Sequence, residues 1–200
     1  MGSWVTRVTR SVMVLAVLAL TADARAAVTA AHVRVILHND GIAPVDVVEG
    51  AQREVARLFA MIDVAVIWVS DPVDDPRSVR YVKVTNWEPS DAKIPVTTLG
   101  VTFAGERGTG KRAYVMWTRV QRYAWRHAVG LDTMLAIAIA HEIGHVVSPK
   151  NAHTSSGLMR ETWDANDLRL ASAGMLSFSR ESATKIAQGL RPGVTIARRR

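Results

Sequence analysis

Residues Leu131 to Val147 carry the strongest helical pattern in the chain, and Pro149 sets its end, because the residue before a proline is pushed out of the α region. Asp132 is placed to cap its start. The second half of the helix reads His141-Glu142-Ile143-Gly144-His145. Side chains four apart on a helix are neighbours on one face, so His141 and His145 can grip one cation. Glu142 then points to the space beside that cation, where a water being activated needs a base. Gly144 is unfavourable in a helix interior by about 1 kcal/mol against alanine, which close backbone packing behind the site would explain.

Around this helix the chain reads as alternating elements. His32–Leu37 is a strand closed by Asn39-Asp40-Gly41, and Glu49–Met61 is a helix with apolar residues at Val55, Leu58, Phe59 and Ile62. Val64–Val69 is a mostly buried strand, and Val79–Thr85 alternates with period two as a half-buried strand does. Asn86–Pro95 is a loop. Thr98–Phe103 and Ala113–Thr118 are two further strands around a glycine-rich turn. Asp164–Ala173 and Ser179–Leu190 form two short helices near the end. The fold expected is α+β: a mixed sheet of four to five strands with a backing helix, a helix bearing the site, and a small helical C-terminal part.

The first 26 residues read as a cleavable signal peptide. Arg7 and Arg10 precede the apolar run Val12–Leu20, and Ala24-Arg25-Ala26 places small residues where a signal peptidase inspects them. Residues 27–200 then form one domain, exported to a secreted or periplasmic location, with 194–200 as a flexible basic tail. The apolar run is short against the ~20 residues a bilayer span needs, so no stable membrane insertion is expected after the leader is removed. Of the net charge of +7, the leader and Arg198-Arg199-Arg200 account for most, leaving a body near about +2. Neither this nor any aromatic-interleaved basic stretch points to nucleic acid. The run Gly105–Arg112 nearly matches a phosphate loop, but Arg112 stands where the magnesium-binding hydroxyl belongs and a strand follows where a helix is required. A hairpin turn is the better reading.

Cysteine is absent, so thiolate sites are excluded and a zinc ion would have to be held by imidazole and carboxylate. A catalytic zinc site expects three protein ligands. His153, eight residues after His145, is within reach as a third donor; Glu161 and Asp164 are its rivals. His32, His38 and His127 read as isolated surface or strand residues, and Tyr114 and Tyr123 as packing residues first and candidates to stabilise an oxyanion second. Met159 follows in the turn-rich run Thr154–Arg160.

The segment His141–Trp163 resembles the active-site region of the zincin metallopeptidases, in particular the metzincin branch. That pattern has a helical H-E-x-x-H, a glycine turn, a third His and a later turn carrying a methionine. The spacing departs from it, since Ser148 stands at the glycine position and Asn151 at the usual third His, two residues before His153. The resemblance implies His141, His145 and His153 as zinc ligands, Glu142 as general base and Met159 as the methionine beneath the metal. It implies an exported zinc-dependent endopeptidase acting on peptide or protein substrates. An extended peptide would pair with strand Thr98–Phe103 or with Ala113–Trp117. The alternative is a non-catalytic exported protein that binds metal through the same histidines, or the cell envelope through its basic tail.

Overall fold

The computed structural model describes residues 31–70, 79–90, 94–103, 112–148 and 152–190. The leader over 1–26, most of the turn Gly105–Arg112, the helix-stopping Pro149 and the basic tail over 194–200 lie outside the described residues.

Alternation of buried and open positions makes β1 (Ala31–His38), with Val33 and Val35 turned into the core. The helix α1 (Val45–Ala60) follows and buries Ala51, Val55, Leu58 and Phe59, one stripe at helical spacing. Full burial of side chains such as Val55, Leu58 and Phe59 contributes roughly 1.5–3 kcal/mol each in transfer free energy. The helix begins four residues before the expected Glu49, with Pro44 as the cap residue, because exposed Val45 and Asp46 form a first turn outside the apolar stripe. It returns the chain to β2 (Val64–Trp68), parallel to β1. A crossover of this kind requires an intervening helix or long connection.

Strands β3 (Val79–Thr85), β4 (Gly100–Phe103) and β5 (Arg112–Met116) complete a mixed sheet in the order β2-β1-β3-β5-β4. All neighbours are parallel except β4, which runs antiparallel to β5 in a register pairing Gly100 with Val115 and Thr102 with Ala113. Thus β4 is an edge strand and β5 is interior. The expected α+β class and the strand number both hold.

One element departs from the sequence expectation. Ala113–Met116 ends as a strand, and Trp117–His127 is a helix, α2, that starts with no intervening loop. Ala113, Val115 and Trp117 continue a period-two apolar pattern in the sequence, but Met116 between them is buried as well, so alternation alone places the boundary too late.

The helix α3 (Leu131–Val147) runs through the middle of the domain, buried on nearly every side from Met134 to Val147 and packed along α1 and against β3, β4 and β5. A helix apolar all round belongs in a core rather than on a surface. Its end follows the sequence reading: Ser148 is extended, with φ −81° and ψ 155°. Its start does not. Gly130 is the cap residue, no side chain caps the helix, and Asp132 already lies inside the first turn, where its Oδ1 accepts from the Thr133 amide. Asp132 therefore acts from within the first turn, as a negative charge and an acceptor for the next amide, and not as the cap residue.

The C-terminal helices are α4 (Ala165–Ser172), closed by a reciprocal capping box between Asp164 and Asp167, and α5 (Arg180–Leu190). Among the described residues, no helix is long and apolar enough to cross a membrane.

Candidate metal centre

One helix and the segment after it bring three imidazoles to one point. His141 and His145 lie one helical turn apart on α3 and face the same side. His153 arrives from the segment after α3. That segment is tied down by Thr154, whose amide donates to the Met159 carbonyl (3.0 Å) and whose hydroxyl meets Ser182 Oγ of α5 (3.1 Å). Lys185 Nζ donates to the His153 carbonyl at 3.3 Å. The result places His145 Nε2 3.0 Å from both His141 Nε2 and His153 Nε2. All three donor atoms lie within 4.8 Å of one another, a group able to hold a metal ion.

Protonation supports that fit. His141 Nδ1 stands 2.9 Å from the Leu158 carbonyl, an acceptor, so Nδ1 carries the proton and Nε2 presents a lone pair. A neutral imidazole nitrogen holds one proton or one lone pair, so a single proton on His145 Nε2 cannot satisfy both neighbours at full strength. One cation at the shared focus satisfies all three. Burial drives the His141 imidazole down to about 4, against the opposing pull of the Leu158 carbonyl, so the ring is neutral at neutral pH, as a ligand must be. The Leu158 carbonyl also accepts from Trp163 Nε1 at 3.1 Å, and the Trp163 ring stands edge-on to His141. Such outer contacts orient a ligating ring.

The Glu142 carboxylate is buried against Gly100 and Thr102 of β4. Thr102 Oγ1 donates to Oε2 at 2.6 Å. A Cβ added at Gly100 would stand 2.6 Å from Oε1 and 2.7 Å from Cγ, so the glycine makes room for the carboxylate. Burial pushes the Glu142 carboxyl up to about 7, and the Thr102 hydrogen bond opposes this. Beneath the site Met159 is fully buried, and a Cβ at Gly144 would meet its Sδ at 2.5 Å. The close packing that the sequence suggested at Gly144 is therefore contact with the Met159 thioether.

A cleft of about 150 Å³ opens onto His141, Glu142 and His153. One wall is Thr97–Gly100 leading into β4, and the other is Arg160–Trp163, with Tyr123 of α2 beside them. Glu161 lies in this wall and outside the three-histidine group. Asp164 is committed to the α4 cap and to Arg160. Tyr114 sits elsewhere, with Trp87 and Phe103 on the sheet, whereas Tyr123 lines the cleft. Arg119 of α2 is buried and braces the Thr97–Gly100 wall, donating to the Pro95 and Thr98 carbonyls (2.8 and 3.0 Å) and to Glu88 (2.7 Å).

Gly100, Thr102 and Arg119 were not readable as site residues. Their partners lie about twenty to forty positions away in sequence, and no local pattern marks them. Tyr123 sits on the helix that the alternation hid.

No family model matches the chain, and no curated protein matches it in sequence. Among solved structures, it is similar to metalloproteinase-II from Bacteroides fragilis, with a TM-score of 0.51 and 12% identity over 82% of this chain and 54% of that one. The chain thus spans about half the length of that metalloproteinase. The likeness is one of fold.

Proposed function

We propose that the protein is an exported zinc-dependent endopeptidase of zincin type. The observation that carries this reading is the convergence of three imidazole Nε2 atoms, with His141 and His153 lining a cleft beside a buried carboxylate. His141, His145 and His153 would hold the ion, in keeping with the three-ligand donor set of catalytic zinc. When bound, zinc supplies Lewis acidity toward a carbonyl oxygen and toward water.

The rest of the chemistry belongs to the chain. Thr102 occupies Glu142 Oε2, which leaves Oε1 as the atom that accepts a proton from the attacking water and later returns it to the leaving amine. Gly100 keeps Oε1 open to the cleft. Strand β4 has one edge paired to β5 and, among the described residues, no strand on the other, so an extended peptide can add to it as a further strand. Of the two strands the sequence left open for this role, β5 is excluded because both its edges are taken. Met159 supports α3 from behind through Gly144. Export is proposed from the leader-like first 26 residues.

The Glu142→Ala variant tests the reading against a non-catalytic metal-binding protein. Retained zinc with peptide hydrolysis reduced by at least about a hundredfold supports the enzyme. Unchanged hydrolysis, or no hydrolysis by the wild type on a broad peptide library, overturns it.

A further inference from the structure

The walls of the cleft carry three charged side chains: Glu142, Arg160 and Glu161. Glu142 is the base of the proposed reaction, buried and bonded to Thr102. Arg160 is spent internally. Its Nη1 reaches Asp164 Oδ2 at 2.5 Å and Asp167 Oδ2 at 2.6 Å, and these two carboxylates also close the capping box of α4. One guanidinium between two carboxylates leaves this turn with a net negative charge before Glu161 is counted.

Glu161 differs from its neighbours. It is exposed, it lies two residues beyond Met159, and no ion pair or hydrogen bond engages its carboxylate among the described residues. Next along the same wall stands Trp163, its indole fixed by the bond from Nε1 to the Leu158 carbonyl and by edge-on contact with His141. Glu161 and Trp163, two residues apart, both line the cleft, and these residue types suit a cation: a carboxylate supplies charge, and an indole face attracts an ammonium or guanidinium. The opposite wall, Thr97–Gly100, offers hydroxyls and backbone and no charge to compete.

We propose that this cleft selects peptides carrying a lysine or arginine side chain beside the scissile bond, with Glu161 as the carboxylate that receives it. The assignment of a scissile bond rests on the peptidase reading above; the recognition of a cationic side chain rests on Glu161 and Trp163 alone.

The test uses the full chain and a set of fluorogenic peptides that differ only in whether lysine, glutamine or glutamate flanks the cleaved bond. The wild type is expected to prefer lysine over glutamine by about fivefold to tenfold in kcat/KM, the range of a partly desolvated ion pair. Glu161→Gln should bring that ratio to about two or below, and Glu161→Lys should turn the preference toward glutamate. Because Glu161 is exposed, both variants should melt with the wild type. A wild type indifferent to flanking charge, or a Glu161→Lys variant that keeps the lysine preference, overturns the proposal. A parallel calorimetric titration of the Glu142→Ala protein with the lysine and glutamate peptides separates the two readings. Tighter binding of the lysine peptide, weakened by salt and by adding Glu161→Gln, upholds Glu161 even where no peptide is hydrolysed. Hydrolysis without charge preference leaves the peptidase standing and removes Glu161.

Discussion

Replacing Gly100 with alanine tests whether the position of the Glu142 carboxylate, and not merely its presence, governs activity. The backbone at Gly100 lies outside the left-handed region, so alanine costs no backbone strain there. The added Cβ would stand 2.6 Å from Oε1, 2.7 Å from Cγ and 2.8 Å from Cδ of Glu142. Carbon atoms pack favourably at 3.5–4.0 Å, so the side chain must retreat by about 0.8 Å. Retreat is restricted, since Thr102 holds Oε2 at 2.6 Å and the carboxylate is buried. Overpacking of this kind costs about 1–3 kcal/mol in stability. A displacement approaching 1 Å at a reacting group costs about a hundredfold in rate. The Gly100→Ala variant is therefore expected to lose about 30-fold to 100-fold in kcat/KM while binding zinc as the wild type does, because the nearest atoms the new Cβ meets all belong to Glu142. Steady-state peptide hydrolysis, zinc content and a thermal melt on the same sample read all three quantities. Hydrolysis within twofold of the wild type would refute the idea that Gly100 reserves the space in which Glu142 works.

Thr102→Val removes the hydrogen bond that holds the Glu142 carboxyl down, so the acidic limb of the activity profile should move to higher pH with activity at neutral pH falling about tenfold; an unmoved limb contradicts this. Arg119→Met strips donors from the Pro95 and Thr98 carbonyls and should cost about 2–4 kcal/mol in urea unfolding, with a raised KM as the cleft wall loosens. In the metal-free protein, Glu142 and His141 act on stability with opposite sign. The Glu142 carboxyl lies at about 7 in the fold against 4.5 ordinarily, so the folded state binds more protons and stability falls as pH rises through that interval. His141 lies at about 4 against 6.5, so the folded state binds fewer protons and stability is lost as pH falls through its interval. Each is worth about 3 kcal/mol, and they nearly cancel where they overlap. Metal-free Glu142→Gln should therefore show stability rising more steeply from about pH 4 to 6.5 than the metal-free wild type does, as followed by urea melts; identical profiles would sink the assignment.

Much of the frame was legible because it rests on local periodicity. The stripe Val55-Leu58-Phe59 marks α1, the alternation in β1 and β3 marks strands, and Leu131–Val147 is a helix by its pattern and by Pro149. Failures occurred where local signals competed. Trp117 continues the alternation of Ala113 and Val115 yet begins a helix, and Asp132 has the chemistry of a cap but sits past the helix start. Spacing brought His153 within reach of His141 and His145, but its convergence depends on Thr154, Ser182 and Lys185, which tie it to α5. Gly100 and Thr102 were silent because their importance is a contact with Glu142 across forty residues. Long-range contacts decide what surrounds the Glu142 carboxylate, whereas helical spacing announces the first two histidines.

A zinc titration of chelator-treated full-length protein, with bound metal and peptide hydrolysis followed together, tests the central claim most directly. The account predicts that hydrolysis rises in step with bound zinc and saturates at one ion per chain. It also predicts that Glu142→Ala takes up the same single ion without hydrolysis, and that His153→Ala fails to hold it. Hydrolysis that persists without metal, or a wild type that fills its site and cleaves no peptide, would contradict it.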